Sequence, residues 1–323
     1  MSNCMDKYKN DFAIKFARLM EKELPLWKKT QKEGRYSLCN GTWLGVYFIS
    51  FAFAFIPGKH ETGYNLEMHF WMGVIFCIAS IIGAIVVENK YYQNTIKKRL
   101  FPKLLKVFTE RISYPGVIIT NPEYQNSDLL KMPLNSRDTD DKFSGEYKEV
   151  PFKIEETTLS YKTYDKRGRL DKYIELFKGV ALHFLMKKDI KSRVLIYSKS
   201  LFKKPPKNYE KVTLEYEKFN KKYNVYVKKD QNSEGQIEAR YLFNTAFLER
   251  FMQIQTSFRV RKMECSICGN ELLFLLHTRK DLFEMNHLFG KVDDIHQYRR
   301  LFDEFASVLS FIDVLNLSSK TKL

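Results

Sequence analysis

Residues 38–57 read LCNGTWLGVYFISFAFAFIP, and residues 69–87 read HFWMGVIFCIASIIGAIVV. Neither stretch contains Asp, Glu, Lys or Arg. Crossing a hydrocarbon core of about 30 Å takes roughly 20 mainly apolar residues at about 1.5 Å rise each. Both stretches are near that length, and the 58–68 segment between them is too short to hold a domain. The pair predicts a transmembrane helical hairpin that carries a soluble C-terminal portion.

Charge sets the direction of that hairpin. The chain has 323 residues and a formal net charge of +16, and each side of Ile112 carries +8. The shorter, N-terminal side is therefore the more densely basic. Lys7, Lys9, Lys15, Arg18, Lys22, Lys28, Lys29, Lys32 and Arg35 precede the first stretch. Lys90, Lys97, Lys98, Arg99, Lys103, Lys106 and Arg111 follow the second, whereas the connecting loop has only Lys59 against Glu61 and Glu67. Lys- and Arg-rich flanks stay on the cytoplasmic side, which predicts a multi-pass membrane protein with both termini cytoplasmic. The same flanks suit anionic lipid head groups. Nucleic acid is not expected as a partner: the bases are spread along the chain and no nucleic-acid motif accompanies them. The 37 residues ahead of the first stretch argue against a cleaved signal peptide. Five cysteines, odd in number and mostly on the cytoplasmic side, argue against a disulfide framework.

Around the hairpin, Tyr8, Phe12, Phe16, Leu19 and Met20 recur at helical spacing over residues 6–24, and Pro25 is expected to stop that helix. This basic amphipathic segment, residues 1–37, would lie on the membrane surface or pack against the cytosolic end of the second span. Trp27 suits the water–lipid interface. Small residues four apart, Gly41/Gly45, Ala79/Gly83 and Ser80/Ala84, would let helices approach in lipid. The second helix should run on as a cytosolic stalk to Pro102 and, through a kink, towards Ile112. Hairpin and stalk thus occupy residues 38–112, and a soluble domain occupies 113–323.

In that domain strand-like runs fall at 117–120, 142–150, 152–164, 173–186, 194–197, 211–216, 223–227, 236–243, 257–263 and 271–277, separated by turns such as Asp165–Gly168 and Cys268–Asn270. Two helices interrupt them: residues 245–255, with Asn244 as N-cap, and residues 293–316, with a continuous apolar stripe. The expected fold class is α+β: a transmembrane hairpin, then a mixed, mainly antiparallel β domain with a long C-terminal helix.

The stretch 223–250, YNVYVKKDQNSEGQIEARYLFNTAFLER, resembles a bacterial membrane family, domain of unknown function 3137. The resemblance rests on Val225-Tyr226, Asp230, Ile237-Glu238-Ala239-Arg240-Tyr241 and Leu248-Glu249-Arg250. Phe177-Lys178-Gly179, Lys280-Asp281-Leu282-Phe283-Glu284 and Leu315-Asn316-Leu317 add to it. It implies an architecture and an inner-membrane address, and brings no activity. Residues 232–235 lengthen the aspartate turn, and the Cys265-x-x-Cys268 pair stands where an ordinary hairpin is expected.

Candidate chemistry is sparse. Cys265 and Cys268 lack the second ligand pair that a structural zinc needs, and are read as plain hairpin cysteines. Glu238 and Arg240, two apart on an expected strand, would share a face, as an exposed ion pair or as a polar binding site with Asp230. His60, Glu61, Glu67 and His69 read as solvated loop residues. No phosphate loop, His-Glu-x-x-His, Gly-x-Ser-x-Gly or Gly-x-Gly-x-x-Gly motif occurs. No cofactor, metal ligand or catalytic residue is assigned. The expected function is a membrane-anchored, cytosol-facing binding protein with a protein partner. The alternatives are an enzyme with an unrecognised site around Glu238/Arg240, or an accessory subunit of a larger membrane assembly.

Overall fold

The computed structural model describes residues 2–52, 66–106, 108–109, 111–229, 237, 240, 243–258, 260, 262–279, 283, 288–291 and 295–314. They divide into two compact units.

One unit comprises Asn10–Lys103 and Glu284–Tyr298. Helix α1 (Ser2–Ser37) is continuous through Pro25, so the expected stop at that proline does not occur. A proline inside a helix costs about 3 kcal/mol. Phe16, Met20 and Trp27, at helical spacing on one face, are all buried, and each contributes about 1.5–3 kcal/mol. Packing on both sides therefore outweighs the lost backbone bond. Trp27 is not at a water–lipid interface: it is fully buried, its ring 6.0 Å from that of Tyr298, and Phe16 meets the same tyrosine at 5.1 Å.

Helix α2 (Gly41–Ala52) opens the first apolar stretch, whose remainder (53–57) and following loop (58–65) lie outside the described residues. Helix α3 (Leu66–Leu105) is 40 residues long and passes Pro102 by one turn, then ends rather than continuing to Ile112. At about 1.5 Å per residue it measures roughly 60 Å. Helices α1 and α3 lie antiparallel. Glu88 Oε1 accepts from Ser37 Oγ at 2.7 Å, and fifteen residues further along α3 Lys103 pairs with Glu23. The packed alternative for the amphipathic segment is thus the one observed. A Cβ added at Gly45 or Gly83 meets nothing within 4 Å, so neither glycine supports a close helix approach among the described residues.

The other unit comprises the described residues of Leu104–Phe283 and Arg299–Leu323 together with Met1–Lys9. Its sheet has seven antiparallel strands among the described residues: β1 (Ile112–Ser113), β2 (Ser136–Tyr147), β3 (Val150–Tyr164), β4 (Leu170–Ser198), β5 (Tyr209–Val212), β6 (Tyr223–Lys228) and β7 (Lys262–His277). The order is β1-β2-β3-β4-β6-β5, and β7 lies along the other side of β4. The expected strands at 173–186 and 194–197 are one 29-residue strand. The intervening KKDIKSR is polar and hides the continuity; the β4–β7 register slips there, between Leu185 and Ile190 and again before Val194. Cys268–Asn270 is likewise not a turn. It lies inside β7, where Gly269 at φ +60° sits opposite Ile190 in that irregular stretch.

Each face of the sheet is covered. Val180, Leu182, Phe184, Ile196, Phe274 and Leu276 are buried on one. Helix α6 (Thr245–Ser257) brings Phe251 to 5.6 Å from Phe274, and helix α7 (Ile295–Val314) brings Phe305 to 4.6 Å from Phe143 of β2. Asn244 caps α6 as expected, accepting from Phe247 N at 2.9 Å. On the opposite face Phe177, Ala181, Leu195, Tyr197, Leu273 and Leu275 pack under Ile119, Tyr124, Leu129 and Leu134. Residues 117–120 are not a strand. They lead into helix α4 (Asn121–Asn126), held by a capping box in which Thr120 and Glu123 bond each other's backbone. The expected strand at 257–263 is instead the end of α6 and the start of β7. A short helix α5 (Glu217–Lys222) precedes β6.

Candidate functional site

Asp230 and Glu238 lie outside the described residues. Arg240 and Ile237 are described; both are helical and exposed. The expected strand at 236–243 therefore does not hold at those two positions, where helical preference outweighs the β-branched and aromatic pattern on which the strand expectation rests.

The sheet face beneath α4 holds the polar residues instead. Asp128 follows α4 at φ +57°, a conformation aspartate tolerates better than most residues. Its Oδ2 accepts from Arg193 Nη1 at 2.5 Å and from the Tyr209 hydroxyl at 2.7 Å, and Arg193 Nε reaches Cys268 Sγ at 3.2 Å. Next along the face, Glu264 of β7 stands opposite Tyr197 of β4. It pairs with Lys203 and lies 2.8 Å from His277 Nε2. Burial pushes the Glu264 carboxyl up, but the His277 hydrogen bond and the Lys203 charge outweigh it and hold the group below the usual carboxylate range. Lys203 also donates to the Leu129 carbonyl and lies 5.2 Å over the Tyr197 ring.

At the other end of this face, Glu155 accepts from the Tyr124 hydroxyl at 2.6 Å and from Ile119 N at 3.0 Å, while Glu123 accepts from Lys153. His183 lies between them, 3.7 Å from Glu123 and 4.0 Å from Glu271. Burial first, then Lys153, drives its pKa down to about 4 against the opposing pull of Glu123. His183 Nε2, Tyr197 Oη, Ser266 Oγ and Asn224 Oδ1 are buried on this face with no hydrogen-bond partner among the described residues.

These groups bind the 119–134 cover and Lys203 to the sheet by ionic links that are largely out of water. Cys265 faces the α6 side with Ile196, and Cys268 faces Arg193 on the other, so the two thiols do not share a ligand. No group of three or more His, Cys, Asp and Glu suited to a metal occurs among the described residues. Only the capping box, Thr-x-x-Glu before a buried tyrosine, signals this cover in the sequence.

The exposed counterpart is the β3–β4 arm. Strand β2 leaves β3 at Ser160, and β7 joins β4 only from Gly179, so the tip is a two-stranded ribbon among the described residues. Asn135 clamps its base, donating to the Lys162 carbonyl at 2.7 Å and accepting from Lys162 N at 2.8 Å. Asp165 closes the expected Asp165–Gly168 turn, accepting from the backbone of Arg167 and Arg169, and Gly168 supplies φ +74°. Tyr164, Leu170, Tyr173 and Ile174 are exposed along the ribbon beside Lys162, Arg169 and Lys172. Four large apolar residues are thus exposed on one projection.

Fold and surfaces define an α+β protein with an antiparallel sheet and a single described helix long and apolar enough to cross a membrane. Residues 175–317 match the model of the family described as Protein of unknown function (DUF3137). No curated protein sequence matches the chain. Among solved structures, the crystal structure of the mycobacterial trehalose monomycolate transport factor A, TtfA, covers 59% of this chain and 79% of its own. It does so at 10% identity with a TM-score of 0.32, a likeness too slight to bear on function.

Proposed function

We propose that this protein is a multi-pass component of a bacterial inner membrane, anchored by a hairpin of residues 38–57 and 69–87 with both termini in the cytoplasm. Its cytosolic sheet domain binds a protein partner through the β3–β4 arm. The observation that carries the reading is the exposed apolar length of α3. Only 11% of its apolar window is buried, and Trp71, Ile75, Phe76, Ile82, Val86 and Val87 all face outward. Such a surface needs lipid rather than water. The excess of Lys and Arg on both flanks supports the orientation. The arm supplies aromatic and aliphatic contacts with basic neighbours, a combination suited to an acidic-rimmed apolar patch on another protein.

The test has two parts. Alkaline carbonate should leave the chain in the membrane pellet, and a tag on Leu323 should resist protease in intact spheroplasts. A photo-crosslinking residue at Tyr173 should form one discrete adduct that the same residue at Lys211 does not. A chain released by carbonate, or a tag cleaved from outside, refutes the anchoring; arm crosslinks no different from those at Lys211 refute the docking surface.

A further inference from the structure

The α1 end of the first unit meets α3 at the level where the apolar stretch stops. Trp43 Nε1 and Ser37 Oγ both donate to Glu88 Oε1, at 3.1 and 2.7 Å. One residue on, Asn89 Oδ1 accepts from Leu288 N at 2.7 Å. Arg35 Nε donates to the Leu288 carbonyl at 3.1 Å, and Gln31 Nε2 to the Gly290 carbonyl at 2.7 Å. Gly34 allows this approach, since a Cβ there would stand 2.8 Å from Leu288 Cδ1. The 288–290 turn, far along the chain from α1 and α3, is thus bonded into a collar directly after Val87.

What the collar shows outward is amphipathic. Leu288 points inward and is fully buried, whereas Phe289 is 57% exposed with the Arg35 guanidinium 5.6 Å over its ring. Tyr36 and Tyr91 are also exposed, Lys32 lies 5.7 Å over Tyr36, and Lys90 is exposed beside Tyr91. Aromatic rings paired with Lys and Arg where an apolar span ends are the chemistry of the headgroup zone.

We propose that the 288–290 turn is a membrane-seating element: Phe289 enters the headgroup–acyl boundary, and Lys32, Arg35 and Lys90 hold the phosphates of anionic phospholipids around it. The inference rests on the hairpin reading and deepens it, because it places a loop from the 175–317 stretch at the bilayer surface. The occupant is lipid rather than protein, since the patch continues the exposed apolar surface of α3 at its cytosolic edge.

The experiment uses the full-length Phe289→Trp chain in vesicles of phosphatidylcholine and phosphatidylglycerol brominated near the top of the acyl chains. Quenching is compared with that of the parent, whose own Trp43 and Trp71 report the hairpin. The introduced indole should be quenched and should prefer brominated phosphatidylglycerol several-fold. Lys32→Gln and Lys90→Gln, which leave the Arg35–Leu288 bond in place, should each reduce that preference roughly fivefold, the value expected for one basic residue at an anionic surface. Quenching in the parent with no added quenching in the Phe289→Trp chain overturns the inference and leaves the hairpin standing. Absence of quenching in both parent and variant overturns the hairpin as well. Quenching of the introduced indole with no preference between the two lipids overturns the phosphate contacts.

Discussion

Protonation of His183 should loosen the sheet domain as pH falls. The imidazole is buried between Glu123, Glu271 and Lys153, with no hydrogen bond to Nε2 among the described residues, and its pKa falls from 6.5 to about 4. A histidine whose folded value lies below its unfolded one binds its proton more readily when unfolded, so stability is complete above about pH 6.5 and is lost as pH falls towards 4. Between pH 7.5 and 4.5 the linkage is worth about 2.5 kcal/mol, or roughly 5–10 °C in Tm for a domain of this size. Glu155 and Glu271, whose carboxyls burial pushes up, work in the opposite direction over part of this range. The comparison must therefore be made against His183→Gln, which removes only the imidazole. Thermal melts by far-UV circular dichroism in detergent should show Tm falling several degrees further in the parent than in the variant between pH 7.5 and 4.5. Ring resonances of His183 should remain those of neutral imidazole down to about pH 5. Parallel Tm–pH curves, or a ring that titrates near 6.5, would refute the reasoning.

Glu264→Gln should cost about 3–5 kcal/mol in urea unfolding, because it strands the Lys203 charge in a site where the two side chains are 14% and 3% exposed. Adding Lys203→Met should recover part of that loss. Gly179→Ala should destabilise strongly, since φ is +148° and the new Cβ would stand 2.0 Å from the Leu276 carbonyl oxygen; loss of folded protein in a pulse-proteolysis assay checks it. Ile82→Arg, at an exposed position of the α3 apolar stretch, should raise the cost of membrane insertion by about 2.5–3.5 kcal/mol, read as carbonate-extractable protein. Leu170→Ala on the arm should leave Tm unchanged within about 0.5 kcal/mol of stability while abolishing the crosslink at Tyr173.

Much of the architecture can be read from local signals. The apolar window of α3, the Asn244 cap, the Asp165 turn and the alternation in β3 each follow from side chains that act within a few residues. Phe177-Lys178-Gly179 also has a physical basis, because only glycine fits where β4 passes the Leu276 carbonyl. What local signals miss depends on distant partners. Pro25 reads as a helix end until Tyr298 is seen to bury Trp27. Polar residues hide the middle of β4, whose continuity is imposed by β7. The polar face is assembled from Asp128, Arg193, Lys203, Glu264 and His277, which no spacing rule connects. The Glu238/Arg240 pair follows from strand alternation, and Arg240 is helical.

Because Tyr298 closes over Phe16 and Trp27, the first unit lacks one wall until residue 298 has been made. Roughly 190 residues separate α3 from that wall, so at about 5–20 residues per second the ribosome needs on the order of 10–40 s to deliver it. During that interval the indole and phenyl groups of α1 are uncovered. Cutting the gene near codon 112 would leave two fragments, each missing a surface that the other holds, and co-expression rather than either piece alone should restore a protease-resistant product.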